Sequence, residues 1–339
     1  MIEQIKNLTF DSSFSNIFQN STNPSYFQGW WFNLQQQSKI WLILVTLWII
    51  NGSSFLAIKV SIDTIPPLLS AGLRFSIAGL ILFTLFFLRR HHQYEKISRE
   101  QWKHALVIGA ALFLGGQGLL TWGTQYLDSG ITGLLNSTIP LWIAIISFLI
   151  YRKPMAKSII LGLIAGFAGL MLLIGPSLGT GALNPIGVTA LIISSVAWAV
   201  DSLYSSKIQL PVSIFASSGM IMLSGGLMLI IVSVALGEYH GLDLMQISGQ
   251  SLIAQIYLIG VITVVGFTDF YWLLRVTTPS LANTFAYVSP VIAVFLGWLL
   301  LHESITILTL IAMIVILAGV ALMVTTPGKR KEHQQQIQK

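Results

Sequence analysis

Apolar residues run along this chain in blocks of about twenty, each closed by a short polar interruption. Ten such blocks stand at about 40–60, 66–88, 105–126, 130–151, 157–175, 185–206, 211–236, 252–274, 279–301 and 305–325. About twenty apolar residues at 1.5 Å each cross the ~30 Å hydrocarbon core of a bilayer. The pattern predicts an all-α membrane protein with ten transmembrane helices. One block is interrupted from inside. In "LLNSTIPLWIAIISFLIY" (134–151), Asn136, Ser137 and Thr138 precede Pro140, well within the apolar run. Proline in a helix interior deletes a hydrogen bond and clashes with the preceding turn, at a cost of about 3 kcal/mol.

The same pattern returns 150 residues later. "GLLNSTIPLWIAIISFLIY" (133–151) stands over "NTFAYVSPVIAVFLGWLLL" (283–301), with Pro140 on Pro290. At this offset Trp48 falls on Trp198, Trp122 on Trp272, and Ala168-Gly169 on Ala318-Gly319. Identity between the halves is otherwise low, so the weight rests on these rare residue types. The chain reads as a duplicated five-helix unit, 39–175 and 185–325, between tails at 1–38 and 326–339. Five is odd, so the second copy enters the membrane from the opposite face. That gives an inverted repeat, the layout of secondary transporters with midplane sites at interrupted helices. Pro140 and Pro290 then mark helix breaks beside a wet cavity, where freed carbonyls find partners. "WIINGSSF" (48–55) and "WAVDSLYS" (198–205) read as a disrupted first helix in each half.

Composition agrees. Of 339 residues 54% are hydrophobic and 9% charged, against about 25% charged in soluble domains. Charge adds an orientation. Sixteen of the 18 Lys and Arg residues fall in the tails and alternate loops on one side, and Lys59 and Arg74 lie in or beside spans. The positive-inside rule puts both termini in the cytoplasm, and a bacterial inner membrane is the expected location. The +6 formal charge is this topology signal and implies no nucleic-acid partner. The N-terminal tail lacks the layout of a signal peptide. Phe10, Phe14 and Phe18 fit either a helix on the membrane surface or, as preferred here, an unstructured cytosolic tail.

Candidate chemistry is confined to polar residues inside the spans. Arg74 lies about 12 Å in from Pro66 at 1.5 Å per residue, and a central Arg costs roughly 2.5–3.5 kcal/mol to insert. It reads as a clamp for a substrate carboxylate or phosphate, or as an anchor to helix-end carbonyls or to Asp63 or Asp128. The anchor reading is preferred. Lys59, near a helix end, is expected to snorkel. Asn51 and Gln117 at mid-depth, and Asn136 beside its proline, suit a polar solute, with helix–helix bonding the equal alternative. Trp48, Trp122, Trp198, Trp272, Tyr204 and Tyr287 are either cavity lining or packing. Gly162, Gly166 and Gly169 form a face for close helix packing. Asp201 and Asp269 are the acids inside spans, candidates for proton coupling with Asp269 slightly preferred. His91-His92 read as solvated, and "GPSLGTG" (175–181) as a turn. GxxxxGK, HExxH and GxSxG motifs are absent, as is cysteine. No catalytic residue, metal or cofactor is therefore expected.

These residues also carry a resemblance. "NGSSFLAIKVSIDTIPPLLSAGLRFSIAGL" (51–80), "DSGITGLLNSTIPLWIAIIS" (128–147) and "LHESITILTLIAMIVILAGVALMV" (301–324) resemble the EamA-domain transporters of the drug/metabolite transporter superfamily. Asn51 stands where a Trp often precedes the Gly-Ser pair, and Lys153 where the acid of "HES" would recur. The resemblance implies ten helices, cytoplasmic termini and export of small metabolites, amino acids or drug-like compounds through a central cavity. The partners are then a small-molecule substrate and the lipid bilayer, with the protein a monomer or weak dimer. A channel-like facilitator and an intramembrane aspartyl enzyme are the alternatives. Reporters fused after Lys339 and within 89–103 are expected to read cytosolic, and one within 177–183 periplasmic. A periplasmic C-terminus overturns the ten-helix layout.

Overall fold

The computed structural model describes residues 24–88, 97–152, 154–174, 183–205, 207–208, 210–211, 213–243, 245–276 and 284–325. Phe10, Phe14, Phe18, the His91-His92 pair, Lys153, the 175–181 turn and the C-terminal tail lie outside these residues, as does the side chain of Tyr287. All regular structure among the described residues is helical. Helix α1 spans Pro24–Ser61, α2 Pro67–Leu88, α5 Lys157–Ile174, α6 Pro185–Ser205, α7 Ile214–Ala235, α9 Phe285–Leu301 and α10 Ile307–Thr325. Helix α3 (Arg99–Thr124) and α4 (Ser129–Tyr151) are composite. So is α8, built from Gly249–Tyr257, Leu258–Val265 and Gly266–Val276. Among the described residues, α1 to α8 are long and apolar enough to cross a membrane, and two shorter apolar helices, Val288–Leu301 and Ile307–Leu322, complete ten. Residues 1–46 form one compact unit, whose described part is helix from Pro24, and Leu47–Lys339 form the other, which holds both repeats from the middle of α1 onward.

Helix starts follow local chemistry. Ser98 and Gln101 bond each other's backbone N–H across the first turn of α3, a capping box that begins this helix before the predicted 105. Ser213 and Ser248 cap α7 and α8 in the same way from their side chains. The expected disruption of the first helix in each half is not found: α1 and α6 run unbroken through 48–55 and 198–205. Asn51, Ser53 and Ser54 turn their polar groups back onto Leu47 O, Ile50 O and Asn51 O of their own helix. A hydroxyl or amide bonded in this way leaves the backbone ladder intact.

The disruptions lie elsewhere. Helix α3 widens into π-helix over Gly109–Gly118, and α8 over Leu258–Val265, positions that overlap at the 150-residue offset. In α8 the Thr263 hydroxyl donates to Leu258 O, five residues back. Such π segments concentrate at functional sites. The offset also holds for single residues. Arg152 and His302 end α4 and α9 in the left-handed conformation, at φ 51 and 55.

The two halves meet along two antiparallel seams. Passing along α2, Gly72 meets Ile230, Ser76 meets Gly226, and Gly79 meets Leu223. Rising numbers face falling ones, and Ser76 faces its own equivalent 150 residues away. On the second seam Gly169 of α5 meets Ile316 and the Ala312 carbonyl, while Gly319 of α10 meets Gly166 and the Gly162 carbonyl. Adding 150 to one set gives the other. This reciprocity defines a pseudo-two-fold axis perpendicular to the helices, so the repeat is inverted. A β-carbon at Gly226 would lie 2.5 Å from Ser76 N, a backbone atom that cannot yield. Gly226→Ala is expected to destabilise the protein by about 1–3 kcal/mol, read as a lower melting temperature in detergent. Gly260, whose added β-carbon meets nothing within 4 Å, is the control and should tolerate Ala.

Candidate functional site

Between the seams lies a cavity of about 520 Å³, the size of small-molecule sites in general. Helices α1 to α4 and α6 to α9 contribute to its wall, while α5 and α10 stay outside it. Both π segments reach it, through Gln117 and Thr263, and so do both prolines. The prolines act differently. Helix α4 breaks into Ser129–Asn136 and Ile139–Tyr151, with Pro140 in the first turn of the second piece, where its missing N–H is harmless. Ser137 and Thr138 hydroxyls satisfy Leu134 O and Leu135 O at the break. Pro290 instead sits inside a continuous α9.

The cavity wall extends to Ser202, Phe270 and Phe285, near the ends of α6 and α8 and the start of α9. At the opposite end of the bundle polar contacts tie the helix ends together. Lys59 Nζ donates to Thr124 O at 2.9 Å, Gln125 O at 3.4 Å and Leu127 O at 2.7 Å, so the ammonium caps α3 rather than reaching for water. Glu303 accepts from Ser129 N (2.7 Å), Ser129 Oγ (3.0 Å) and Gly130 N (3.1 Å) at the start of α4. Glu238 accepts from Leu68 N and Leu69 N at the start of α2, and from Ser233 Oγ. Carboxylates placed there also meet the positive end of the helix dipole. Gln255 of α8 ties α1 to α2: its Oε1 accepts from Ser61 Oγ and Ser70 Oγ, and its Nε2 donates to Ser70 O. Burial and the neighbouring Glu303 push the Asp128 carboxyl up from its ordinary value, with Lys59 opposing.

Of the residues singled out from sequence, Asn51, Arg74, Gln117, Asn136, Pro140, Trp198 and Pro290 line the cavity. Arg74 is only 7% exposed. Neither Asp63 nor Asp128 pairs with it; its Nε donates to Thr263 Oγ1 at 2.9 Å and its guanidinium carbon lies 4.8 Å from the Phe75 ring centre. Trp48, Trp122, Tyr204 and Trp272 stand outside the wall. Trp48 Nε1 donates to Thr284 Oγ1, tying α1 to the start of α9; Trp122 stacks edge-on with Tyr126, and the Tyr204 hydroxyl meets His104 Nδ1 at 3.0 Å. Asp201 and Asp269 are outside the wall too. Asp201 is buried and accepts from Ser205 Oγ one turn on. The sequence reading missed Thr263, Ser289 and the phenylalanines of the wall. Ser289, next to Pro290, was within reach of the proline signal.

The profile of the EamA-like transporter family matches residues 38–175 and again residues 185–325. The chain belongs to that family. The Escherichia coli K12 protein named "Uncharacterized inner membrane transporter YedA" is 34% identical over 287 residues, covering 84% of this chain and 90% of that one. Bacillus subtilis "Uncharacterized transporter YoaV" is 28% identical, covering 86% and 99%. A solved crystal structure superposes with a TM-score of 0.58 at 18% identity, over 84% of this chain and 97% of that one, a likeness of fold. The duplicated match in this EamA-like transporter coincides with the two halves related by the axis. Replacing Pro140 or Pro290 by Ala is expected to change solute affinity or exchange rate while membrane levels stay near normal. Wild-type exchange by the double variant would reduce both prolines to kinks.

Proposed function

We propose that the protein is a secondary transporter that exports a small organic solute across the bacterial inner membrane by alternating access. One observation carries this reading: a cavity lies between two inverted halves whose helix ends are tied together by hydrogen bonds at one end, while its wall extends to Ser202, Phe270 and Phe285 toward the other. We read the tied end as a seal. The seal uses residues that the other half does not repeat. At the 150-residue offset Ser61, Ser70 and Gln255 become Pro211, Met220 and Ala105, and Lys59 becomes Gln209. The placement of Lys and Arg supports a periplasmic position for the sealed end and cytoplasmic termini. The cavity then loads from the cytosol, the side from which an exporter takes its solute. Reconstituted protein should show saturable counterflow; single-channel conductance would favour a facilitating pore instead.

Coupling to protons is the finer part of this proposal. Asp201 and Asp269 stand behind the wall on α6 and α8, so protonation of either would act by moving its helix, without touching solute. Intramembrane acids are costly and mark ion pathways by default. Asp201→Asn or Asp269→Asn is expected to abolish uptake driven by a pH gradient while sparing solute–solute exchange in proteoliposomes. Full response to the gradient by both single variants and the double variant would make the carrier a facilitator.

A further inference from the structure

The charge of the cavity wall narrows what it can hold. Arg74 is its one charged side chain among the described residues; no Asp, Glu, Lys or His lines it. The guanidinium is more than nine-tenths buried, and no carboxylate among the described residues forms an ion pair with it. Thr263 occupies Nε and the Phe75 ring covers one face, which leaves the terminal nitrogens without a protein acceptor among the described residues. A buried cation in a neutral wall is costly until a counter-charge arrives. The Ser289 hydroxyl, 5% exposed and part of the same wall, also has no hydrogen-bond partner among the described residues.

We propose that this cavity is a receptor for small organic monoanions, a single carboxylate on an apolar or aromatic body, with the carboxylate seated at Arg74. The proposal deepens the transporter reading and rests on it only for the ligand being cargo. A guanidinium offers the planar fork that a carboxylate matches with two parallel bonds. One positive charge balances one negative charge, so a phosphate dianion would keep an uncompensated charge in a poorly hydrated space. An amine would meet Arg74 with no acid to hold it, and a zwitterionic amino acid would leave its ammonium facing a wall without carboxylates. The rest of the wall suits an apolar body: Phe55, Phe113, Phe267, Phe270 and Phe285 surround the space beside Phe75. Gln117 and Asn136 add neutral groups for a keto or hydroxyl substituent.

The test compares ring-matched probes on the purified full chain at constant ionic strength, with tryptophan fluorescence and thermal stabilisation as readouts. Phenylacetate, 3-phenylpropanoate and phenylpyruvate are the acids; phenylalanine and phenethylamine are the zwitterion and the cation. At least one acid is expected to bind saturably, and about 10- to 100-fold more tightly than either comparison compound, the range of a charge-assisted hydrogen-bonded pair. Arg74→Gln should lose that margin and Arg74→Lys should keep part of it. Should Arg74→Gln fail to fold, phenylglyoxal labelling of Arg74 in the wild type replaces it, with protection expected from the acids and none from phenethylamine. Equal binding of phenethylamine, unchanged acid binding by Arg74→Gln, absent protection, or no binding by all three acids would overturn the proposal. The two levels separate in proteoliposomes. Saturable exchange of the amine in preference to the acids keeps the carrier and removes the anion receptor. An acid that binds through Arg74 yet never exchanges supports the receptor and removes the carrier.

Discussion

Two places where helix backbones touch without side chains between them hold the bundle in its inverted arrangement. In lipid no hydrophobic force draws one apolar helix to another, so association rests on close packing and interhelical hydrogen bonds. Gly72 with Gly226, and Gly166 with Gly319, bring backbone against backbone on the α2–α7 and α5–α10 seams. Each seam joins a helix to its own equivalent, so one small-residue face in the repeat unit supplies both sides of the contact. With the halves fixed along α2–α7 and α5–α10, the helices other than α5 and α10 surround a cavity, α2 and α7 among them. Neither α5 nor α10 lines it. Their role is to hold the frame.

Charge at and just beyond the ends of the spans serves the frame in a second way. Lys59 ends α3, Glu303 starts α4 and Glu238 starts α2, each by capping orphan backbone groups of a helix other than its own. Each therefore neutralises part of a helix dipole while tying separate segments together. The only ion pair among the described residues, Lys103–Glu100, is surface-exposed and contributes little to stability. Arg74 differs from the caps. It ends no helix, and the hydrogen bond it makes to Thr263 leaves its charge unanswered.

Much of the fold was legible because bilayer thickness imposes one length on every span and duplication leaves rare residues in register. Trp and Pro are informative at an offset for the reason Leu is not: shared apolar composition does not generate their coincidences. The π segments left no such trace. "GAALFLGGQG" and "LIGVITVV" differ from their neighbours in no periodic property, since widening a helix by one carbonyl register changes bonding without changing hydropathy. "NGSSF" misled in the opposite direction. Its polar side chains suggested a break, yet they bond carbonyls one turn back and the helix continues. For the site, depth along a span located Arg74, Asn51 and Gln117 in the wall, while facing direction was illegible for Trp48, Trp122, Trp272 and the two aspartates. A π segment changes the angular register of everything after it, and α3 and α8 carry Trp122, Asp269 and Trp272 beyond theirs.

Where the halves differ, the difference has a physical requirement behind it. A strict two-fold axis in the membrane plane would make both ends of the bundle alike, sealed together or open together. A cavity that extends toward one end requires equivalent residues in different conformations. Pro140 follows a broken turn at Ser137–Thr138, yet the equivalent residues 287–288 are helical before Pro290. Trp198 lines the cavity while Trp48 is bonded to Thr284. The Gln255 side chain joins three helix segments, and the Ala105 side chain has no polar group with which to do so. These differences fall in α1, α4, α6, α8 and α9, five of the helices that line the cavity, and none of them falls on the α5–α10 seam outside it, where Gly169 and Gly319 make reciprocal contacts. On the alternating-access reading proposed above, the helices that would adopt two arrangements are thus separated from the α5–α10 pair, which would keep one. Such a separation would let cavity helices change state while the glycine contacts between α5 and α10 stay closed.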